Sequence, residues 1–65
     1  MNFRIDYFQA DTKVASITNY PTLAAALADV KFGLQRYRAD EAQIRDLDVG
    51  GKVVARIERD PNPDH

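Results

Sequence analysis

Apolar and polar positions alternate from the start of the chain. In FRIDYF (residues 3–8), Phe3, Ile5 and Tyr7 are separated by Arg4 and Asp6. That is the period of a half-buried strand. Residues 10–12, ADT, offer turn chemistry through Asp11. The run KVASIT (13–18) is rich in β-branched side chains suited to a second strand. A three-residue loop, Ala10 to Thr12, sets Tyr7 opposite Ala15 and Ile5 opposite Ile17. Phe3, Ile5, Tyr7, Ala15 and Ile17 then share one face. A one-residue slip would set Asp6 against Ile17 and spoil that face, so this register is expected. It also pairs Phe8 with Val14 on the opposite side.

At NYPT (19–22) the period changes. Pro21 disfavours a helical conformation at Tyr20, and Thr22 can cap a helix by accepting a backbone N–H. Leu23, Leu27, Val30, Leu34 and Tyr37 recur at steps of four and three, one stripe of an amphipathic helix, flanked by Ala26 and Gly33. The expected helix has about 17 residues and is roughly 26 Å long. Arg36 and Arg38 suit the carbonyl end of its dipole, and Asp40 and Glu41 mark the exit.

The closing segment, AQIRDLDVGGKVVARIER (42–59), reads as a second hairpin through Gly50-Gly51. Val53, Ala55 and Ile57 face one way, and Val54, Arg56 and Glu58 the other. Ala42 and Ile44 alternate, but Leu47 is out of phase. Either a bulge near Arg45 or Asp46 brings Ile44 and Leu47 onto one face, or Leu47 belongs to the turn. DPNPDH (60–65) has two prolines and no apolar residue, and reads as a disordered tail. The expectation is a single β-β-α-β-β domain over residues 1–59. It is a two-layer α+β fold with a four-stranded antiparallel sheet and one helix on one face. Its expected core is Phe3, Ile5, Tyr7, Ile17, Leu27, Val30, Leu34, Ile44, Val53 and Ile57.

Composition narrows the chemistry. With 65 residues and no cysteine, the chain has no disulfide, thiolate zinc site or thiol nucleophile. The one histidine is His65, at the end. Domains this small often gain missing burial by associating. A net charge of −1 gives no global field for a polyanion. No apolar run approaches the roughly 20 residues needed to span a bilayer, and MNFRIDYF lacks the features of a signal peptide. The expected location is the cytoplasm, with no membrane contact.

Candidate catalytic groups are poor. The carboxylate pairs Asp46/Asp48 and Asp40/Glu41 fall at an exposed turn and a helix end, where solvent opposes the pKa shifts that acid–base work needs. Asp48 is read as supporting the turn and Asp40 as ending the helix. Ser16 has no histidine to activate it. VGGK (49–52) lies between strands and lacks the spacing of a phosphate loop. No metal, cofactor or enzymatic activity is expected. Arg4, Arg45 and Arg56, with Phe8, fall on the outer face of the sheet, where arginines and an aromatic could meet a nucleic acid. Asp6 and Glu58 share that face, so a mixed, solvated surface is the favoured reading. A nucleic-acid-binding or antitoxin-like regulator is the alternative.

Apolar groups on the surface remain. At about 100° per residue, Phe32 lies nearly opposite the centre of the helix stripe, among Ala25, Ala28, Asp29, Gln35 and Arg36. Single exposed hydrophobes are ordinary, but Gly33 beside Phe32 would let another backbone approach closely. Phe8, Val14 and Val54 form a second apolar set on the outer sheet face. The candidate interaction surface is therefore Phe32, Gly33, Asp29, Arg36, Phe8, Val14 and Val54. The expected partner is a second copy of the chain or another protein, and not a nucleic acid.

TLAAAL (22–27) opening the helix and DLDVGGKVVARIERD (46–60) closing the chain resemble short bacterial proteins of unknown function built as hairpin, helix, hairpin. The resemblance implies that fold and a bacterial origin, and no activity. PTLAAALADVKFGLQRY (21–37) is similar to the helix of HicB-type antitoxins, small partner-binding proteins.

Overall fold

Residues 2–59 are described by the structure, a computed structural model. The elements are β1 (Phe3–Gln9), β2 (Thr12–Tyr20), α1 (Leu23–Arg36), β3 (Glu41–Asp46), a 3-10 turn (Leu47–Val49) and β4 (Lys52–Glu58). They form the expected β-β-α-β-β fold, one antiparallel sheet in the order β2-β1-β3-β4 with a helix on one face. The tail assigned to 60–65 lies outside the described residues.

The most regularly alternating strand takes a central place. β1 pairs with β2 on one side and β3 on the other, with Ile5 opposite both Ile17 and Ile44, and Tyr7 opposite Ala15 and Ala42. Phe3, Ile5, Tyr7, Ala42 and Ile44 are buried against Ala26, Val30 and Leu34 of α1, with Ala39 closing one end. Ile17 and Ile57, expected in the core, are half-buried and pack at its margin. They stand on the outer strands, which the helix covers least.

The first hairpin reaches the expected register by another route. Its loop has two residues, Ala10 and Asp11, both left-handed (φ 50° and 68°), as a two-residue hairpin turn favours. Phe8 therefore faces Lys13, not Val14. Val14 is an extra residue on β2, and beyond it the pairs Tyr7–Ala15 and Ile5–Ile17 form as expected. A second shift on β2 lies between Ile17 and Tyr20, where Asn19 is left-handed (φ 75°).

The second hairpin also carries its irregularity on the outer strand. The register shifts between Ile44 and Arg45, but the extra residue is Val54 of β4 and not a residue of β3. Ile44 faces Ala55, and Arg45 faces Val53. Val53 thus falls beside a residue of the open face. It is 36% exposed rather than core. Leu47 starts the 3-10 turn, the second of the two expected alternatives. Asp46 accepts the Asp48 N–H at 3.0 Å, and Asp48 accepts the Asn2 N–H at 3.1 Å. Gly50 and Gly51 complete the loop at φ 73° and 79°.

α1 has 14 residues instead of about 17. Thr22 caps it as expected, its hydroxyl accepting the Ala25 N–H at 3.0 Å. The exit turns early because Arg38 is left-handed (φ 53°). Asp40 does more than end the helix. Its N–H donates to Phe8, its carbonyl accepts from Arg59, and its carboxylate accepts the Ala10 N–H. The buried helical positions are Ala26, Val30, Gly33 and Leu34. Leu27, expected in the core, is 43% exposed. The small residues of the stripe, not its large ones, mark the closest approach to the sheet. Gly33 lies so close over Tyr7 that a Cβ there would collide with the ring. The helix is rolled accordingly, and Leu27 is carried to the flank.

Candidate functional site

The roll of α1 opens a cleft on its β2 side. Tyr7, Ile17, Tyr20, Asp29, Phe32, Gly33, Arg36 and Tyr37 line it, with a volume of about 220 Å³. Four of the residues singled out from the sequence, Asp29, Phe32, Gly33 and Arg36, are brought together here. Three of them are exposed. Phe32 is 65% exposed at the rim, and Asp29 and Arg36 are exposed on the same side of the helix. Gly33 is buried, and its open side is already filled by Tyr7. No other backbone can use it.

Three tyrosines outside the expected interaction surface, Tyr7, Tyr20 and Tyr37, build the cleft wall. Tyr7 and Tyr37 pack with ring centroids 5.1 Å apart and their planes tilted by 44°. The Tyr20 hydroxyl donates to Asp29 Oδ2 at 2.6 Å. Burial first, then the charge of Asp29 and the neighbouring Tyr37, push the Tyr7 hydroxyl up to about 12. Burial and the bond to Asp29 push Tyr20 higher still. Both are neutral donors near pH 7. The Arg36 guanidinium stands 6.0 Å from the centroid of the Tyr37 ring, and has no carboxylate partner among the described residues. The signal available in the sequence was that Tyr7 and Tyr37 fall on faces both elements direct inward. Tyr20 could not be placed, because the β2 irregularity before it changes its side.

The open face of the sheet is a charge cluster centred on Asp6, which is only 1% exposed. Ser16 donates to Asp6 Oδ1 at 2.7 Å, and Arg45 Nε to Oδ2 at 3.1 Å. Arg4 Nη2 donates to Oδ2 at 3.2 Å, while its Nε lies 3.0 Å from Oδ1 as an ion pair without forming a hydrogen bond. Lys13 is 3.8 Å away. Burial raises the Asp6 pKa. The bonds from Ser16 and Arg4 and the charges of Arg4 and Lys13 together outweigh it, so the net shift is downward. Arg45 also donates to the Gly51 carbonyl at 2.8 Å, and Arg56 pairs with Glu41 at 3.3 Å. All three arginines considered for nucleic acid are thus held by acids of their own sheet. Phe8 is half-buried, and Val14 and Val54 are exposed at opposite margins of the sheet. The order β2-β1-β3-β4 keeps these two valines from forming one apolar patch.

Among the described residues there is no group of three or more His, Cys, Asp or Glu side chains placed to hold a metal. No helix among them is long and apolar enough to cross a membrane. A scan against protein-family models matches none, and searches of curated proteins and of solved structures find no match.

Proposed function

We propose that this chain is a cytoplasmic, non-enzymatic protein-interaction module that self-associates through the cleft side of α1. The observation that carries this reading is Phe32, a large aromatic 65% exposed at the mouth of an aromatic-walled cleft. An interface can bury an apolar area that water leaves unused. The tyrosines favour recognition over catalysis, since hydroxyls pushed to about 12 and beyond transfer protons poorly near neutral pH. The open sheet face is the weaker candidate for contact, because its charges already satisfy one another.

The test is sedimentation equilibrium on the parent and Phe32→Glu, with circular dichroism as the fold control. Phe32→Glu should keep the fold and weaken association by at least about 2 kcal/mol, the scale of an anchoring interface residue. A parent that stays monomeric up to millimolar concentration would overturn self-association.

A further inference from the structure

The cleft side of α1 carries a pattern that is complementary to itself. Resting on the reading above, we infer that the occupant of the cleft is the same surface of a second copy. Two α1 helices pack antiparallel about a twofold axis beside Phe32. Each Phe32 enters the mouth of the other's cleft, and Asp29 of each copy faces Arg36 of the other.

The spacing along α1 supports this arrangement. Asp29 precedes Phe32 by three residues and Arg36 follows it by four. At about 100° per residue, Asp29 and Arg36 lie within about 20° of each other around the helix, with Phe32 about 40–60° from both. A twofold axis passing between positions 32 and 33 brings position 29 of one helix opposite position 36 of the other. Both ion pairs then form at once, as an isologous contact requires. Ala25 and Ala28 continue the same side with small residues.

Charge also distinguishes among occupants. One exposed acid and one exposed base leave the cleft with no net sign, so it selects neither a polyanion nor a polycation. A copy of itself matches it at both ends. Each charge has capacity to spare among the described residues. Arg36 has no ion pair, and Asp29 holds the Tyr20 hydroxyl through Oδ2 alone. Shape points the same way. The cleft of about 220 Å³ adjoins a shallower, more open hollow of about 360 Å³ at Phe32, Gln35 and Arg36, so the site is an open surface and not an enclosed pocket. It suits one inserted side chain, and the half-buried Tyr20 and Tyr37 rings, backed by the buried Tyr7, offer that chain aromatic surface. The ion pairs lie at a wet rim and set register more than affinity. With a footprint of one short helix, a dissociation constant of roughly micromolar order is expected.

Charge reversal tests the register, read by sedimentation equilibrium with circular dichroism on each variant. Asp29→Arg alone, and Arg36→Asp alone, place like charges against each other twice. Each should weaken self-association by about tenfold. An equimolar mixture of the two single variants restores both pairs between unlike chains, as does the double variant within one chain. Both should return to within about threefold of the parent. The proposal is overturned if neither the mixture nor the double variant recovers, or if the single reversals have no effect. If Phe32→Glu still abolishes association in that case, the helix surface stands and only the antiparallel register fails. A monomeric parent overturns both.

Discussion

Replacing Gly33 by alanine tests the packing that shapes the cleft. On helix propensity alone the change gains about 1 kcal/mol. Against this, the new Cβ meets the hydroxyl, Cζ and Cε1 of Tyr7, all too close to coexist. The ring cannot yield cheaply, being 1% exposed and packed against Tyr37. The helix must lift instead, loosening Ala26, Val30 and Leu34 from the sheet. Overpacking of this kind costs about 1–3 kcal/mol, and a rigid ring places it at the upper end. The net expectation is a loss of about 1–2 kcal/mol. A chain of this length has about 3–10 kcal/mol in all, and the corresponding fall in melting temperature is roughly 4–16 °C. Urea denaturation followed by circular dichroism measures it. In a Tyr7→Leu background the obstacle is gone, and Gly33→Ala should be neutral or stabilising by up to about 1 kcal/mol. If Gly33→Ala stabilises the parent itself, the helix is not seated on Tyr7 and the cleft geometry is wrong.

The Asp6 cluster should show in acid. With its folded pKa below the ordinary value of 3.8, Asp6 contributes fully above about pH 4, and the contribution is lost as pH falls through the folded value. Asp6→Asn should cost about 1–3 kcal/mol at pH 7, and urea midpoints below pH 4 should converge on those of the parent; a constant gap would refute the assignment. Leu27→Ala should cost under about 1 kcal/mol, whereas Ile44→Ala, fully buried, should cost about 2–5 kcal/mol. Equal shifts in their denaturation midpoints would contradict the observed phase of α1.

The order of elements was legible because period-2 and period-3.6 patterns do not overlap in this chain, and Thr22 and Gly50-Gly51 punctuate them. The register of β1 against β2 was legible because one slip would have set Asp6 against Ile17. The helix phase was not. A pattern weighted by large side chains centres on Leu27, while contact with a sheet is closest where Ala26 and Gly33 leave room. Nor was Asp6. Its local alternation marks it as outward, and it is outward, but Arg4, Lys13, Ser16 and Arg45 from three strands close over it. That burial depends on strand order, which the sequence leaves open. For the same reason the tyrosine wall of the cleft emerged only once β2 lay beside the rolled helix.

The three register shifts all fall on β2 and β4, the two strands that border the sheet. A molecule with two straight, unpaired borders is a monomer in the polymer-chemistry sense, since every copy added by strand pairing exposes a fresh border for the next. Extra residues at Val14, near Asn19 and at Val54 kink both borders and interrupt the ladder a newcomer would need. Growth into fibres is thereby obstructed at both ends. An isologous contact made on a face, by contrast, stops when the pair closes. The irregular borders thus guard the route by which small sheets assemble without end, while the exposed phenylalanine lies away from them on the helix.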